Sequence, residues 1–262
     1  MDRVFISIGP FNIYWYSVLI VLSVIIGMYF SLKEASKNGL GKDFLYDMIF
    51  YLIPVGIIGA RLYYVIFNFS IFKVNLLDIF KVWEGGLAIY GTVIAAIIFI
   101  VLYCKKKGKN IFLTLDTLAP YLILGQAVGR WGNFINKEAH GAITTYENLK
   151  NMYLPKFIIE GMYINGSYYI PTFLYESLWN ILGFIILVII RRKNKYKNKG
   201  LLVFSYFIWY GIGRFFVEGL RTDSLYLGNF RISQLVSIVL ILIGIIGIIY
   251  IVRRDRKCKN IK

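Results

Sequence analysis

Residues 129–141 read Gly129-Arg130-Trp131-Gly132-Asn133-Phe134-Ile135-Asn136-Lys137-Glu138-Ala139-His140-Gly141, and they follow directly on the apolar run 115–128. An arginine, a lysine, two asparagines and a glutamate therefore stand where a hydrophobic helix leaves the bilayer. Charge at that depth of a membrane is costly and usually serves a function. The alternative is that the two cations reach to lipid headgroups and that the asparagines cap helix ends.

The rest of the chain is strongly apolar. Its 262 residues are 58% hydrophobic, with a mean hydropathy of +0.64, which is too much apolar surface for one soluble core. Apolar runs close to the roughly 20 residues that a membrane-spanning helix needs lie near 14–32, 44–67, 87–104, 112–129, 172–190, 201–217 and 232–252. We predict an all-α polytopic membrane protein of about seven transmembrane helices, with a single membrane-embedded domain over residues 1–262.

The formal net charge of +16 comes from Lys and Arg residues that cluster in alternate connections, at 33–42, 105–109, 191–199 and 253–262. The positive-inside rule makes these segments cytoplasmic, which places the N-terminus outside, the C-terminus in the cytoplasm and residues 129–141 on the outer face. No basic stripe follows an aromatic-studded soluble face, so nucleic acid is not an expected partner.

The longest connection, at about 132–170, also falls on the outer face. It is polar and rich in Tyr, Asn and Gly, and connections of this length are often binding loops or lids. His140, the only histidine, lies within it, and no Ser, Cys or acidic partner stands at a spacing typical of a catalytic triad. We predict an extracytoplasmic insertion in which His140 is a loop residue.

No ligand set for a metal is evident, because the chain has one histidine, two distant cysteines and scattered carboxylates. Cys104 and Cys258 both fall at predicted cytoplasmic helix ends, where a disulfide is not expected. We therefore predict no metal and no cofactor.

A second polar stripe lies in the sixth apolar run. Tyr210, Arg214 and Glu218 are spaced i, i+4, i+8 and so share one helix face. A stripe of this kind is costly against lipid and should face a cavity, although an internal ion pair that only joins helices is the alternative. Arg130 and Arg214 would then be two guanidinium groups at the outer ends of different helices. Guanidinium binds phosphate in a bidentate manner, so the sequence favours an anionic phospholipid headgroup as ligand.

The sequence at 129–141 resembles the signature of prolipoprotein diacylglyceryl transferases, Gly-Arg-x-Gly-Asn-Phe-x-Asn-x-Glu-x-x-Gly, at every fixed position. The resemblance continues in Ser7-Ile8-Gly9-Pro10 and Trp15-Tyr16, and in Tyr210, Gly211, Arg214, Phe215, Glu218 and Arg221. Ser233-Gln234 is similar as well, so the resemblance covers nearly the whole chain, from Ser7 to Gln234.

This resemblance implies an enzyme of the bacterial plasma membrane with its active site toward the outer face. The family transfers the diacylglyceryl group of phosphatidylglycerol to the thiol of the lipobox cysteine in prolipoprotein signal peptides, the first step of lipoprotein maturation. The implied partners are phosphatidylglycerol, these signal peptides and membrane lipids. Since the substrate brings the nucleophile, no internal Cys/His pair is expected.

The resemblance also implies roles for individual residues. Arg130, Arg214 and Tyr90 are the expected catalytic residues, and the expected phosphatidylglycerol ligands are Arg130, Asn133, Asn136, Glu138, Gly141, Tyr16, Tyr210, Glu218 and Arg221. Tyr90 stands where the family often has a histidine, so the proton acceptor stays open. Ile170 and Phe173 replace a histidine and a glutamine of the family at the segment that ends in Glu176.

Two other classes remain as alternatives. A polytopic transporter also places charge inside a helix bundle, but we find no pair of inverted halves with broken helices at matching positions. Another phospholipid-headgroup enzyme of the metal-dependent kind would need clustered aspartates, and those of this chain are scattered. Arg61 lies within the second apolar run, where snorkelling to the interface and pairing inside the bundle are both open.

Overall fold

Seven long apolar helices dominate the computed structural model, which describes residues 3–9, 11–73, 75–194 and 199–260. Within these residues, the helices that are long and apolar enough to cross a membrane are α1 (Trp15–Ala35), α2 (Lys42–Phe67), α3 (Ile89–Lys106), α4 (Ile111–Asn136), α5 (Thr172–Asn194), α6 (Leu201–Leu220) and α7 (Ile232–Asn260). The predicted all-α polytopic fold is confirmed. The fourth helix is longer than predicted, because it continues through the polar sequence as far as Asn136.

The helices expose aliphatic side chains along much of their length. Val21 and Ile25 of α1 and Ile246 of α7 are all more than half exposed. Polar side chains such as Thr117 and Asn180 are instead fully buried. This distribution suits lipid as the solvent, where apolar surface needs no cover and polar groups must find partners inside the protein.

The chain divides into two compact units, one formed by Met1–Phe30 with Leu115–Lys262 and the other by Ser31–Thr114. In the first unit, α4, α5 and α6 share a core of Ala119, Ile123, Leu187, Leu202, Val203 and Tyr206. Helix α7 packs along α6 in the same unit. This shared core packs together α4, α5 and α6, the three helices that carry the candidate site.

In the second unit, α2 packs against α3, and buried Arg61 organises the connection between them. Its side chain is 7% exposed and donates to the carbonyl oxygens of Asp78, Ile79, Gly85 and Gly86 at 2.6–3.1 Å. The connection contains short helices at Phe69–Phe72, Leu76–Phe80 and Val82–Glu84. Of the two alternatives for Arg61, the structure shows pairing inside the protein.

The connection between α4 and α5 is a folded insertion rather than an open loop. It contains helices at Tyr146–Asn151 and Lys156–Gly161 and the antiparallel strands β3 (Ile143–Thr144), β4 (Tyr163–Ile164) and β5 (Ser167–Tyr169), ordered β3-β5-β4. Leu149, Ile158, Ile159 and Met162 form its core with Phe134 of α4 and Phe173 of α5. The insertion begins after Asn136, later than the predicted 132, because Asn133 and Asn136 are helical.

Two short hairpins complete the described part of the chain. The strands β1 (Val4–Ile8) and β2 (Phe11–Tyr14) pair before α1, and β6 (Tyr226–Leu227) and β7 (Phe230–Arg231) pair between α6 and α7. Tyr16 follows the first hairpin, and Arg231 ends the second.

Candidate active site

The C-terminal end of α4 is a Schellman cap. The backbone N–H of Glu138 donates to the carbonyl of Asn133 at 3.0 Å, and that of Lys137 donates to the carbonyl of Phe134 at 3.1 Å. Lys137 takes a left-handed conformation, with φ 56°, at the position where glycine is favoured. The cap folds Glu138 back over the last turn of the helix.

That reversal brings together three predicted site residues. A single oxygen of Glu138, Oε1, accepts from the side-chain amides of Asn133 at 2.9 Å and Asn136 at 3.3 Å. A carboxylate beside the negative end of a helix dipole is unfavourable without such donors. The two amides therefore hold an exposed carboxylate at a point where the helix alone would repel it.

One turn before this cap, Arg130 contacts both Asn133 and a carboxylate on another helix. Its Nη1 donates to Oδ1 of Asn133 at 3.1 Å, and its Nε lies 3.1 Å from Oε1 of Glu176 on α5. Glu176 is 3% exposed. The second oxygen of the same carboxylate, Oε2, lies 3.4 Å from Nη1 of Arg214 on α6. Glu176 thus bridges the two arginines that the sequence singled out.

Arg214 has further partners on its own side. Its Nη2 lies 2.7 Å from Oε2 of Glu218, one turn along α6, and 3.4 Å from the hydroxyl of Ser233 at the start of α7. Glu218 is 2% exposed, and its backbone carbonyl accepts from Arg231. Two residues of the predicted polar stripe of α6, Arg214 and Glu218, therefore contact each other and face the inside of the protein.

The cluster contains two arginines and two carboxylates that are largely shielded from solvent: Arg130, Arg214, Glu176 and Glu218. Removing any one of these groups would leave an unpaired charge inside the protein, which costs free energy. Nε of Arg130 and Oε1 of Glu176 lie within ion-pair distance but off the axis of a good hydrogen bond. Nη2 of Arg130 has no hydrogen-bonding partner among the described residues. The arginines are held in place, yet part of their donor capacity is unused.

Tyr16 and Gly141 lie on the edges of the same unit. The ring of Tyr16 covers Gly132 so closely that a Cβ at this position would overlap it. The N–H of Gly141 donates to the carbonyl of Ile170 at 2.9 Å, and a Cβ there would lie 3.1 Å from Thr172 and 3.2 Å from the carbonyl of Leu220. Glycine at position 132 allows Tyr16 to lie against α4, and glycine at position 141 allows the start of the insertion to lie against Thr172 of α5 and Leu220 of α6.

Two other predicted ligands make contacts of their own. Tyr210 stacks on Tyr206, with ring centroids 5.7 Å apart. Arg221 pairs with Asp223 through two contacts of 2.9 Å, and this guanidinium holds the pKa of the Asp223 carboxyl below its ordinary value of 3.8. The assignment of both residues as lipid ligands stays a prediction.

Tyr90 lies in the second unit, at the start of α3, and its ring centroid is 6.4 Å from that of Tyr63. Its catalytic assignment stays a prediction. His140 packs against Tyr169 with ring centroids 4.0 Å apart and ring planes tilted by 43°, and its Nδ1 lies 3.2 Å from the carbonyl of Gly141. These contacts agree with its interpretation as a residue of the insertion.

Glu176 is the site residue that sequence reasoning missed. The signal was present, because a glutamate near the start of an apolar helix needs a partner in the same way as Arg130 does. What the sequence does not give is which helices meet, and so which cation a carboxylate neutralises. Ser233 and Asp223 were missed for the same reason.

The seven helices and the two partly buried arginines that share one carboxylate define a membrane-embedded protein with a charged cluster inside its helices. Enzymes that act on phospholipid headgroups belong to this class, because guanidinium groups are suited to phosphate. Within the described residues, no three His, Cys, Asp or Glu side chains are grouped to hold a metal ion.

The family model of prolipoprotein diacylglyceryl transferases matches residues 3–250. A phosphatidylglycerol–prolipoprotein diacylglyceryl transferase of Ligilactobacillus salivarius is 49% identical over 250 residues, 95% of this chain and 93% of its own. Proteins of the same name from Listeria innocua and Halalkalibacterium halodurans are 51% and 50% identical, covering 95% and 92% of this chain and 90% and 83% of their own. The chain belongs to the prolipoprotein diacylglyceryl transferase family.

Proposed function

We propose that this protein transfers the diacylglyceryl group of phosphatidylglycerol to the cysteine thiol of a prolipoprotein lipobox, the first step of lipoprotein maturation. The activity is the one that its relatives' names state. The observation that carries it to this chain is the pair Arg130 and Arg214, held on different helices by the one buried carboxylate of Glu176. Two guanidinium groups on one side can bind the free oxygens of a phosphodiester and the further negative charge that develops as the phosphate leaves.

The reaction breaks the bond between the glyceryl carbon and the phosphate oxygen. The substrate thiol gives its proton to water or to the departing phosphate, sulfur forms a bond to that carbon, and glycerol phosphate leaves with the electron pair of the broken bond. The phosphate gains one negative charge as it leaves, so fixed cations around it stabilise the transition state more than the ground state. Arg130 and Arg214 fill this role in our proposal.

The donor geometry supports this assignment. Arg130 meets Glu176 off the hydrogen-bond axis and keeps Nη2 without a protein partner among the described residues. A phosphate oxygen placed on the axis of these N–H groups is a better acceptor than the carboxylate at its present angle. Glu176 keeps the two guanidinium groups at a fixed spacing until the lipid arrives.

The remaining predicted residues of the same unit surround this pair in the proposal. Asn133, Asn136 and Glu138 offer amide donors and a carboxylate acceptor to the glycerol hydroxyls of the headgroup. Glu218 keeps Arg214 oriented. The other proposed contributors are Gly141, which allows a close approach of the insertion, and Tyr16, Tyr210 and Arg221, which offer hydroxyl or guanidinium donors to the lipid. Tyr90, in the other unit, keeps its predicted catalytic role.

We further propose that the chain acts as one catalytic domain in the bacterial plasma membrane, with its N-terminus and insertion outside and its C-terminus in the cytoplasm. The support is the clustering of Lys and Arg in alternate connections. A cysteine introduced at exposed Lys150 should react with an impermeant thiol reagent on intact cells, whereas one at exposed Lys107 should react only after lysis. The reverse labelling pattern would overturn this orientation.

The activity is tested with purified protein, phosphatidylglycerol carrying labelled acyl chains and a lipobox peptide. Label should appear on the peptide and glycerol phosphate should appear in solution. A peptide with serine in place of the lipobox cysteine should receive no label. If phosphatidylglycerol is not consumed, the proposal fails, and movement of lipid or solute without chemistry would favour a transporter.

A further inference from the structure

A second buried carboxylate, outside the candidate active site, joins α4 to α6. Asp116 near the start of α4 is 2% exposed. Its Oδ2 accepts from the backbone N–H of Gly200 at 2.6 Å, and its Oδ1 accepts from the backbone N–H of Val203 at 2.8 Å. Both carboxylate oxygens are therefore used on the first turn of α6.

Helix α6 has no N-terminal cap of its own. The residue at its N-cap is Gly200, in a left-handed conformation with φ 99°, and it has no side chain to accept from the first turn. The unpaired N–H groups at a helix N-terminus carry a partial positive charge and need acceptors. Asp116 supplies them from another helix, so the same contact that caps α6 also fixes where α6 begins along α4.

The spacing from this cap to the active site is equal on both helices. Arg130 is fourteen positions after Asp116 on α4, and Arg214 is fourteen positions after Gly200 on α6. At about 1.5 Å per residue, each arginine lies roughly 21 Å from the shared cap. Helices α4 and α6 are connected at one end by Asp116 and at the other through Glu176. If α6 shifts along its axis relative to α4 at the cap, Arg214 therefore moves relative to Arg130.

Other contacts between these helices are weaker constraints on axial position. Gln126 of α4 donates to the hydroxyl of Tyr206 at 2.9 Å, a single bond between neutral groups. A single bond of this kind is weaker than the two backbone hydrogen bonds that the Asp116 carboxylate accepts. The apolar core around Ile123 and Leu202 resists separation but is tolerant of small axial shifts.

We propose that Asp116 is a positioning residue that sets the axial register of Arg214 against Arg130, and so the spacing of the two guanidinium groups at the phosphate. The inference rests on the proposed function, because it concerns how that site is assembled. It assigns Asp116 no contact with lipid or peptide. Its loss therefore acts on the rate of the chemical step rather than on lipid binding.

The test compares four variants of the protein, three at Asp116 and one at Asn110. In Asp116→Ala, kcat per folded molecule should fall on the order of 10-fold or more, with little change in KM for phosphatidylglycerol, because a displacement near 1 Å is enough to misalign reacting groups. Asp116→Glu keeps the charge and both acceptor oxygens but adds a methylene, so it should keep most of the stability and still lose rate.

Asn110→Ala is the matched control. Asn110 caps α4 itself, since its Oδ1 accepts from the N–H of Leu113 at 2.9 Å, and it makes no recorded contact with α6. Its replacement should lower the unfolding temperature, as losing a cap does, and leave kcat unchanged. If Asn110→Ala loses as much rate as Asp116→Ala, the effect is general destabilisation and the register inference is wrong.

A distance measurement makes the result independent of activity. Spin labels are placed at exposed Leu122 of α4 and Phe216 of α6 in a background with serine at Cys104 and Cys258. Asp116→Ala should shift the mean distance, or widen its distribution, by on the order of 1.5 Å, the rise of one helical residue. An unchanged distance together with wild-type kcat would overturn the inference.

If Asp116→Ala does not accumulate, Asp116→Asn decides the matter. It keeps one carbonyl acceptor, so the same changes should appear to a smaller extent, and their absence overturns the inference. An unaltered enzyme that transfers no lipid contradicts the proposed function instead, whatever the labels report about Asp116.

Discussion

Arg61, which is buried, and the pair Arg130 and Arg214, which is partly buried, all lie in apolar helices, but the groups that accept their hydrogen bonds differ. All three nitrogens of Arg61 donate to backbone carbonyls of the connection that follows α2, four bonds in total. Arg130 and Arg214 share the carboxylate of Glu176, and Arg130 keeps a nitrogen without a partner among the described residues.

The difference shows how the acceptors decide what a buried guanidinium can do. Four of the five N–H groups of Arg61 are bound to backbone that cannot be exchanged for a ligand, so this arginine is a structural element. Arg130 and Arg214 are neutralised by side chains and retain donors for a bound anion. Arginine in an apolar helix thus ties the backbone together in one unit, at Arg61. In the other unit, at Arg130 and Arg214, it is a candidate phosphate ligand.

The largest effect is expected at the paired arginines. In Arg130→Lys, and likewise in Arg214→Lys, diacylglyceryl transfer should fall on the order of 100-fold or more, because an ammonium cannot reproduce a planar bidentate fork in the transition state. The measurement is label transfer to a lipobox peptide, normalised to folded enzyme. Near-normal rates in both variants would leave these residues as structural ion pairs.

Arg61→Lys should show the opposite profile. An ammonium has three donors at one point and cannot reach four carbonyls arranged around a fork, so at least one carbonyl is left without a partner. The free energy of unfolding should fall by about 2 kcal/mol, while transfer per folded molecule stays close to that of the unaltered protein. A selective loss of rate without loss of stability would contradict the structural assignment.

Tyr90 tests whether the unit that contains Arg61 contributes chemistry as well. Tyr90→Phe should lower the transfer rate about tenfold, the effect of losing one hydrogen bond to a charged group. Tyr90→His should retain activity, since the family often has a histidine at this place. Full activity of the Phe variant would show that the hydroxyl has no role in the reaction.

Glu176→Gln probes the bridge itself. The amide keeps one oxygen acceptor but presents a donor to the second arginine, so the two guanidinium groups should separate. We expect a loss of about tenfold in kcat, from misplacement of the arginines, and a smaller change in the amount of folded protein. A rate above that of the unaltered enzyme would mean that Glu176 competes with phosphate instead of positioning its ligands.

The smallest effect is expected at the cap of α4. Lys137 has φ 56°, a conformation that costs a residue with a Cβ about 1 kcal/mol and costs glycine almost nothing. Lys137→Gly should therefore raise the free energy of unfolding by up to about 1 kcal/mol and leave transfer unchanged. Destabilisation would indicate that the lysine side chain contributes more than its backbone costs.

Most of the fold could be predicted from the sequence, because long apolar runs directly indicate the segments that lie in lipid. The seven helices were predicted from their apolar runs, and their bounds were found only a few residues away, except that α7 continues to Asn260 beyond the predicted 252 and α4 continues to Asn136 beyond the predicted 129. There the polar residues Asn133 and Asn136 suggested a loop, whereas the Schellman cap at Lys137 carries the helix through them.

The site was predicted in part. Arg130, Asn133 and Glu138 are close in sequence, and Arg214 and Glu218 are one turn apart, so helix geometry alone brings each group together. Contacts between helices were not predictable: Glu176 and Asp116 each depend on which helices are neighbours. Both carboxylates are buried and bind residues far along the chain. Contacts of this kind leave no periodic pattern in a single sequence.

The folded insertion between α4 and α5 has a consequence for the order of assembly. Its core includes Phe134, which precedes it, and Phe173, which follows it, so residues 137–171 on their own lack two aromatic rings of that core. During synthesis this segment emerges before α5, and it cannot close its core until α5 has joined α4 in the membrane. The core of the insertion is therefore complete only in molecules in which α4 and α5 have already paired.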